Sequence, residues 1–194
     1  IKYFFAPFVF AVFFTSQITA QFSEDFSDGR LFGWLGHTDH FVINTQLQLQ
    51  LNAPAGATNS FLYHPVELRD SMVWEIYLNL DFAPSTSNQM RIYLGLTSSD
   101  ISTAFGYFLE IRTSGEMDAL ELKYLDNGIP QTIGSSIPGL VAIEPVEMTI
   151  RVVKSSDGEW QVYSITDIVE LLFSSYHDNL PLSSLSTFGL YAKY

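Results

Sequence analysis

The sequence contains no cysteine and little positive charge, and these two absences exclude several classes of protein. Without cysteine, the chain forms no disulfide, holds no zinc through thiolates and has no cysteine nucleophile. Nine lysines and arginines stand against 21 aspartates and glutamates, which gives a formal net charge of -12. Binding to nucleic acid depends on a basic surface, as does attachment to an anionic membrane. The composition therefore argues against both kinds of partner.

The N-terminus has the features of an export signal. Lys2 supplies a positive charge, and residues 4–14 form an apolar run shorter than the ~20 residues of a membrane-spanning helix. Small and polar residues follow up to Ala20. We therefore predict a signal peptide over 1–20, a mature domain over 21–194, secretion to the cell surface and no membrane insertion once the signal is removed.

Alternation of apolar and polar residues characterises the mature domain, and it is clearest between Phe41 and Asn52. Phe41, Ile43, Leu47, Leu49 and Leu51 occupy odd positions, whereas asparagine and glutamine occupy even positions. Side chains on a β-strand alternate between the two faces of the sheet. The pattern therefore predicts one long strand over 41–52, with a buried face and a polar, uncharged face.

The same alternation recurs along the chain and predicts a fold made of strands. Strands are expected over 61–66, 72–82, 89–97, 106–113, 119–125, 146–154, 160–163 and 188–194, after a short first strand that precedes Trp34. Residues 131–142 look irregular, and residues 167–175 fit a helix or a strand. Short strands joined by turns, with 15% aromatic residues for the core, favour an all-β antiparallel sandwich of the jelly-roll type. Because the last predicted strand reaches Tyr194, we expect the domain to be truncated within or just before its last strand, with further domains beyond it.

Several segments, taken in order, also resemble a known family. They are FSEDFSDG, Trp34, HFVIN, LQLNAPA, WEIYLNLDFAPSTSNQMRIYL, GYFLEI, ALEL, TIRV, DGEWQVY and FGLYAKY. Their order and spacing resemble the N-terminal domain of secreted bacterial surface proteins, common in Bacteroidota, that carry lamin-tail domains further on. The resemblance covers residues 21–194. It implies a sandwich similar to concanavalin A-like or laminin G-like domains, and it implies export, but it attaches no biochemical activity to this domain.

Aromatic and polar side chains on the predicted polar faces are candidates for a glycan-binding surface. Proteins grip sugars by placing aromatic rings against C–H groups and polar side chains against hydroxyls. The candidates are Tyr77, Tyr93, Arg91, Phe108, Arg112 and Tyr191. The alternative is an ordinary half-exposed sheet, in which tyrosine is common through its β-propensity alone.

Two short segments contain candidate metal ligands. Glu24, Asp25 and Asp28 provide carboxylate oxygens near a turn, which is the chemistry that calcium prefers. The alternative for these residues is a polar turn whose charges protect a sheet edge. Residues 37–40, His-Thr-Asp-His, offer two imidazoles and a carboxylate, but no third strong zinc ligand lies nearby in the sequence.

Glycoside hydrolysis is a further possibility, because jelly rolls host it. The reaction needs two carboxylates about 5–9 Å apart across the sugar. No strand carries a run of alternating acidic residues, and the remaining candidates, Glu75 and Glu110, belong to different strands. We therefore predict a non-catalytic recognition or adhesion module that binds a polysaccharide or surface glycan. The alternatives are a structural spacer without a ligand and a sandwich-type glycoside hydrolase.

Overall fold

The computed structural model describes residues 22–81, 84–85, 87–112, 118–142 and 145–194, apart from the side chain of Arg112. Its regular structure is almost entirely β. The strands are β1 (Leu35–Gly36), β2 (Phe41–Ile43), β3 (Leu49–Leu51), β4 (Asn59–Pro65), β5 (Met72–Leu80), β6 (Gln89–Leu96), β7 (Gly106–Arg112), β8 (Ala119–Asp126), β9 (Ile129–Ser135), β10 (Val146–Lys154), β11 (Glu159–Ile165), β12 (Val169–Tyr176) and β13 (Thr187–Lys193). Two short 3-10 turns, Thr38–His40 and Leu182–Ser184, complete it. The predicted signal peptide lies outside the described residues.

These strands form two main sheets that pack face to face. Within each sheet, neighbouring strands are antiparallel. The larger sheet has seven strands in the order β1-β4-β13-β6-β7-β8-β9, and the smaller has four in the order β12-β11-β10-β5. A separate two-stranded ribbon contains β2 and β3. The predicted all-β antiparallel sandwich is therefore confirmed. In the described part of the chain, we find no helix with the length and apolarity needed to span a membrane.

The core lies between the two sheets and follows the predicted alternation. Trp74, Ile92 and Ile150 all point into it, as predicted. Trp74 and Trp160 stack on each other within it, with ring centroids 6.0 Å apart. Burial of each large aliphatic or aromatic side chain contributes roughly 1.5–3 kcal/mol, so this layer is the main source of stability. The fully buried aliphatic members are Ile92, Leu94, Leu109, Ile111, Leu120, Leu122, Ile150, Val152 and Val162.

The prediction of one long strand over 41–52 is wrong, because this segment folds back on itself. β2 and β3 pair as a hairpin, and Leu47 lies in the turn with a φ of 60° and 47% of its surface exposed. The Asn44 side chain causes the reversal. Its Oδ1 accepts hydrogen bonds from the backbone N–H groups of Gln46 (3.0 Å) and Gln48 (2.9 Å). Asparagine favours turns in this way because its side chain competes with the hydrogen bonds of a sheet.

Three smaller expectations also differ from the structure. Residues 131–142 were expected to be irregular, yet β9 covers their first part. This strand is mostly exposed and includes Pro130 and Gly134, so it shows no alternation. By the alternation within the predicted strand over 89–97, Leu96 should share the core face with Ile92 and Leu94, but a bulge between Tyr93 and Gly95 turns it to the opposite face of the sheet. No strand precedes Leu35 in the described chain, although a short one was predicted there.

Candidate functional site

The outer face of the seven-stranded sheet carries two adjacent rows of aromatic and charged side chains. The strand pairings place Phe61, Tyr191, Arg91, Glu110, Glu121 and Ser135 in one row. The second row contains Tyr63, Gly189, Tyr93, Phe108, Lys123 and Thr132. We call these two rows the aromatic–charged face. Its aromatic half extends from β4 across β13 and β6 to Phe108 on β7, and its charged half extends from Arg91 on β6 across β7 and β8.

The aromatic half is closely packed around a glycine. The Phe61 ring stacks on Tyr63 at 5.4 Å and meets Tyr93 edge-on at 5.7 Å. A Cβ atom at Gly189 would lie 2.6 Å from Cε2 of Phe61, so the ring rests directly over this glycine. Tyr93 in turn contacts Phe108, with ring centroids 5.1 Å apart. The absence of a side chain at 189 therefore allows the aromatic rings to form one continuous patch.

Arg91 joins the aromatic half to the charged half. Its guanidinium carbon lies 5.3 Å from the ring centroid of Phe108 and 5.6 Å from that of Tyr191, so it makes cation–π contacts with both. Its Nε donates a 2.7 Å hydrogen bond to Oε1 of Glu110. These contacts fix the guanidinium, which would otherwise be a flexible group, in one orientation on the sheet.

Glu110 is a buried carboxylate held between two cations. Arg91 contacts one of its oxygens and the Lys123 ammonium contacts the other, while Lys123 also reaches Glu121 at 3.0 Å. Burial alone would raise the pKa of Glu110, but Lys123 and Arg91 outweigh it and bring that pKa below its ordinary value. Glu110 is therefore ionised at neutral pH and is unsuited to the role of a proton donor.

Exposure differs between the members of this face and decides which of them a ligand can touch. Tyr93 and Phe108 are completely buried, whereas Tyr63, Arg91 and Tyr191 are partly exposed. A ligand on this face therefore contacts the last three residues. Tyr93 and Phe108 act from beneath, because they hold the rings and the guanidinium in place.

The structure brings together four of the six residues predicted for glycan binding. Arg91, Tyr93, Phe108 and Tyr191 all belong to the aromatic–charged face. Tyr77 does not, because it lies on β5 in the other sheet, where its hydroxyl donates a 2.8 Å hydrogen bond to Glu147. Arg112 ends β7 opposite Ala119, and its side chain lies outside the described part of the structure.

Phe61, Tyr63 and Lys123 belong to the face although they were not among the residues predicted for glycan binding. Phe61 and Tyr63 flank Leu62 in an alternating pattern, which is the signal that would have identified them. Lys123 alternates with Leu122 and Tyr124 in the same way. The sequence pattern shows that these residues share a face within their own strand, but not which other strands lie beside it.

The three predicted calcium ligands each bind the backbone of their own turn. Glu24 accepts the N–H of Phe26 at 2.9 Å, and Asp25 and Asp28 accept the N–H groups two residues ahead at 3.0 and 2.9 Å. Across the residues that the structure describes, no three acidic or histidine side chains converge as a metal would require. A calcium site here stays a prediction.

The two histidines of residues 37–40 attach the N-terminal segment to β4. The Phe61 backbone N–H donates to Nδ1 of His37 at 3.2 Å, and Nδ1 of His40 lies 2.7 Å from the hydroxyl oxygen of Ser60. Both rings therefore have structural hydrogen-bond partners in the sheet.

The two glutamates considered for hydrolysis are far apart in the architecture. Glu75 lies on the outer face of the four-stranded sheet, in a salt bridge of 2.7 Å with Arg151. Glu110 lies on the outer face of the seven-stranded sheet. Two catalytic carboxylates must face the same sugar, so this pair does not form a hydrolytic site.

Three solved structures share the architecture of this chain at low sequence identity. The carbohydrate recognition domain of Emp46p, in its potassium-bound form, matches with a TM-score of 0.59 at 14% identity, over 83% of this chain and 81% of that one. Carbohydrate-binding module CBM66 from Bacillus subtilis matches with a TM-score of 0.56 at 12% identity, over 83% and 88%. The GH43 protein BlXynB from Bacillus licheniformis matches with a TM-score of 0.51 at 13% identity, over 88% of this chain but only 39% of that protein. The TM-scores show a shared fold, and at these identities they show the fold alone. No protein-family model matches the sequence, and no curated protein matches it.

Proposed function

We propose that this protein is an exported, non-catalytic recognition module that binds a polysaccharide or surface glycan on its aromatic–charged face. The observation that carries the proposal is the arrangement of Tyr63, Tyr191 and Arg91. Two partly exposed aromatic rings and a fixed guanidinium share one surface and rest on buried rings. This combination of apolar faces and directed hydrogen-bond donors is what sugar recognition requires.

Each exposed group of this face has a distinct role toward a sugar. Tyr191 and Tyr63 offer ring faces and edges to the C–H groups of a pyranose. Arg91 donates its Nε–H to Glu110, and its Nη1 lies 3.5 Å from the hydroxyl oxygen of Tyr93. Its remaining outer N–H groups donate to hydroxyl oxygens of the ligand. Glu121, at the margin of the face, accepts hydrogen bonds from hydroxyl groups.

The overall charge favours a neutral glycan as the ligand. With 21 acidic and nine basic residues, the chain repels polyanions at long range. On the face itself, Arg91 and Lys123 are balanced by Glu110 and Glu121. The charged half therefore presents no net positive site that would select an acidic polysaccharide.

The structural neighbours support this proposal at the level of the fold. Two of them are described as a carbohydrate recognition domain and a carbohydrate-binding module, and each is matched over more than four fifths of its length. The GH43 protein is matched over 39% of its length. Since Glu110 is ionised and paired with two cations, and Glu75 lies on the opposite side, we include the absence of catalysis in the proposal.

Binding to polysaccharides tests the proposal directly. The protein is run in native gels that contain xylan, mannan, β-glucan or soluble cellulose derivatives, and retardation is measured for the wild type and for Tyr191→Ala. We expect at least one polysaccharide to retard the wild type. Loss of the Tyr191 ring should weaken that binding roughly tenfold, which corresponds to about 1.4 kcal/mol.

Tyr77→Ala is the matched control, because Tyr77 is also a half-exposed tyrosine but lies on the other sheet. Its affinity should equal that of the wild type. If no polysaccharide retards the wild type, the protein is better described as a structural spacer. If a polysaccharide is cleaved and Glu110→Gln abolishes the cleavage, the hydrolase alternative replaces the recognition module.

A further inference from the structure

A small cleft lies at one end of the four-stranded sheet and shares no residue with the aromatic–charged face. Its volume is about 140 Å³. Three chain segments meet around it, namely the connection between β4 and β5, the turn between β10 and β11, and the loop that follows β12. The lining residues are Asp70, Lys154, Ser156, Asp178, Pro181 and Leu182.

Lys154 is the unusual member of this lining. It is the last residue of β10 and continues the inward-facing positions of Ile150 and Val152, so its side chain is only 2% exposed. Its Nζ lies 5.9 Å from the ring centroid of Trp160. A buried ammonium is unfavourable unless hydrogen-bond partners replace the water it has lost. The hydrogen-bond partners of the Lys154 ammonium therefore indicate which kind of ligand the cleft can bind.

The described protein groups satisfy this ammonium only in part. Nζ donates to the carbonyl oxygen of Ser155 at 2.7 Å, and to Oδ1 of Asp178 at 3.4 Å. An ammonium has three N–H donors, and the second of these two hydrogen bonds is long. Apart from these two hydrogen bonds, the ammonium has only the 5.9 Å cation–π contact with Trp160 among the described residues, which leaves one N–H for a group that occupies the cleft.

Acceptors stand around the same space. Oδ1 of Asp70 receives hydrogen bonds from the backbone N–H (3.2 Å) and the hydroxyl (2.9 Å) of Ser183. These bonds fix the carboxylate and lower the pKa of Asp70, so it is ionised at neutral pH. Its second oxygen and that of Asp178 are available as acceptors, while Pro181 and Leu182 supply an apolar wall.

The charges restrict the chemistry of a ligand. Two carboxylates and one ammonium give the cleft a net negative charge, which disfavours an anion. The ammonium of Lys154 lines the cleft itself, which disfavours a cation. A neutral group with neighbouring hydroxyls can accept a hydrogen bond from Lys154 and donate hydrogen bonds to Asp70 and Asp178. Such a group satisfies all three charged side chains. At about 30 Å³ per water molecule, the cleft has room for about five waters, so it is suited to one ring and not to a chain.

We propose that this cleft is a second binding site, which takes a single neutral, polyhydroxylated ring such as one sugar unit. Lys154 donates to a ring hydroxyl, Asp70 and Asp178 accept from its neighbours, and the exposed ring of Pro181 contacts its C–H groups. The site is independent of the polysaccharide-binding face proposed above, and either can fail without the other.

Amide chemical shifts of the whole ¹⁵N-labelled chain test this site. The probes are the methyl glycosides of glucose, galactose, mannose and xylose, with acetate as the anion and methylammonium as the cation. We expect at least one glycoside to shift the amides of Ser156 and Asp178 with a millimolar Kd. Neither ion should shift them. If no glycoside shifts them at concentrations on the order of 100 mM, or if an ion does so, the proposal is refuted.

Two variants separate a binding role from a structural one. Asp70→Asn changes an exposed residue and should fold normally, and it should weaken glycoside binding at least tenfold. Lys154→Met keeps most of the volume of the buried side chain but removes the ammonium, and it should abolish the binding. Tyr191→Ala, on the other face, should leave it unchanged. Equal affinity in the wild type and in folded Asp70→Asn would overturn the assignment even if Lys154→Met does not fold.

Discussion

Replacement of Glu110 by glutamine tests whether the charged half of the aromatic–charged face is a buried ion network. Glutamine keeps the size of the side chain but removes its charge, so it leaves no cavity. The Glu110 side chain is 1% exposed, and its partners Arg91 and Lys123 are 21% and 6% exposed. Removal of one partner from a buried ion pair destabilises a protein by about 3–5 kcal/mol, because the opposite charges remain buried without compensation.

A second salt bridge provides the matched control. Glu75 and Arg151 also pair across neighbouring strands, but their side chains are 54% and 38% exposed. Surface pairs contribute about 0.2–1 kcal/mol, so Glu75→Gln should have a small effect. For a domain of this size, 1 kcal/mol shifts the melting temperature by about 2–4 °C. We therefore expect Glu110→Gln to lower it by about 6–20 °C, and Glu75→Gln by no more than about 4 °C.

Calorimetry of both variants at several pH values completes the test. The pKa of Glu110 is lowered in the folded protein, so its stabilising effect is present above the ordinary glutamate pKa of 4.5 and disappears as the pH falls through the lowered value. The difference between wild type and Glu110→Gln should therefore shrink below pH 4.5. Equal melting temperatures of the two variants at pH 7, or a difference that does not change with pH, would refute the reasoning.

Three further predictions concern packing, the hairpin and calcium. Gly189→Ala should destabilise the protein by about 1–3 kcal/mol in urea unfolding, because the new methyl group displaces the Phe61 ring; an unchanged midpoint would contradict the packing described. Asn44→Ala removes the acceptor that closes the β2–β3 turn, so the Gln48 amide should exchange its hydrogen faster, and an equal rate would show that the side chain does not hold the turn. The calcium hypothesis predicts a higher melting temperature in calcium than in chelator, and equal values in both would exclude it.

The alternation of apolar and polar residues predicted the hydrophobic core between the two sheets, because side chains alternate between the faces of a strand whichever strands lie beside it. Trp74, Ile92 and Ile150 faced the core as expected, since each lies in a long strand with one apolar side. The same reasoning failed for residues 41–52. A strand and a hairpin carry the same alternation, and the hydrogen bonds of Asn44 decide between them.

The residues of the candidate site were predicted only in part. The alternation of residues along a strand separates core-facing from outward-facing side chains, but it does not show to which sheet the strand belongs. Tyr77 and Tyr191 both point away from the core, yet they lie on opposite sheets. Phe61 and Tyr191 are neighbours only because β4 and β13 pair across more than a hundred residues of sequence. Lys154 occupies an inward-facing position of its strand, in the same alternation as Ile150 and Val152, although its side chain is charged. A charged residue at a core position is the signal that identifies the second cleft.

The most direct measurement of the central claim is the position of a bound oligosaccharide on the protein. Amide shifts of the ¹⁵N-labelled chain are recorded while the hexaoses of xylan, mannan and cellulose are added. We predict that at least one of them produces its largest shifts at Tyr63, Arg91 and Tyr191. Shifts confined to the outer face of the four-stranded sheet around Tyr77, or no shifts with any hexaose, would contradict it.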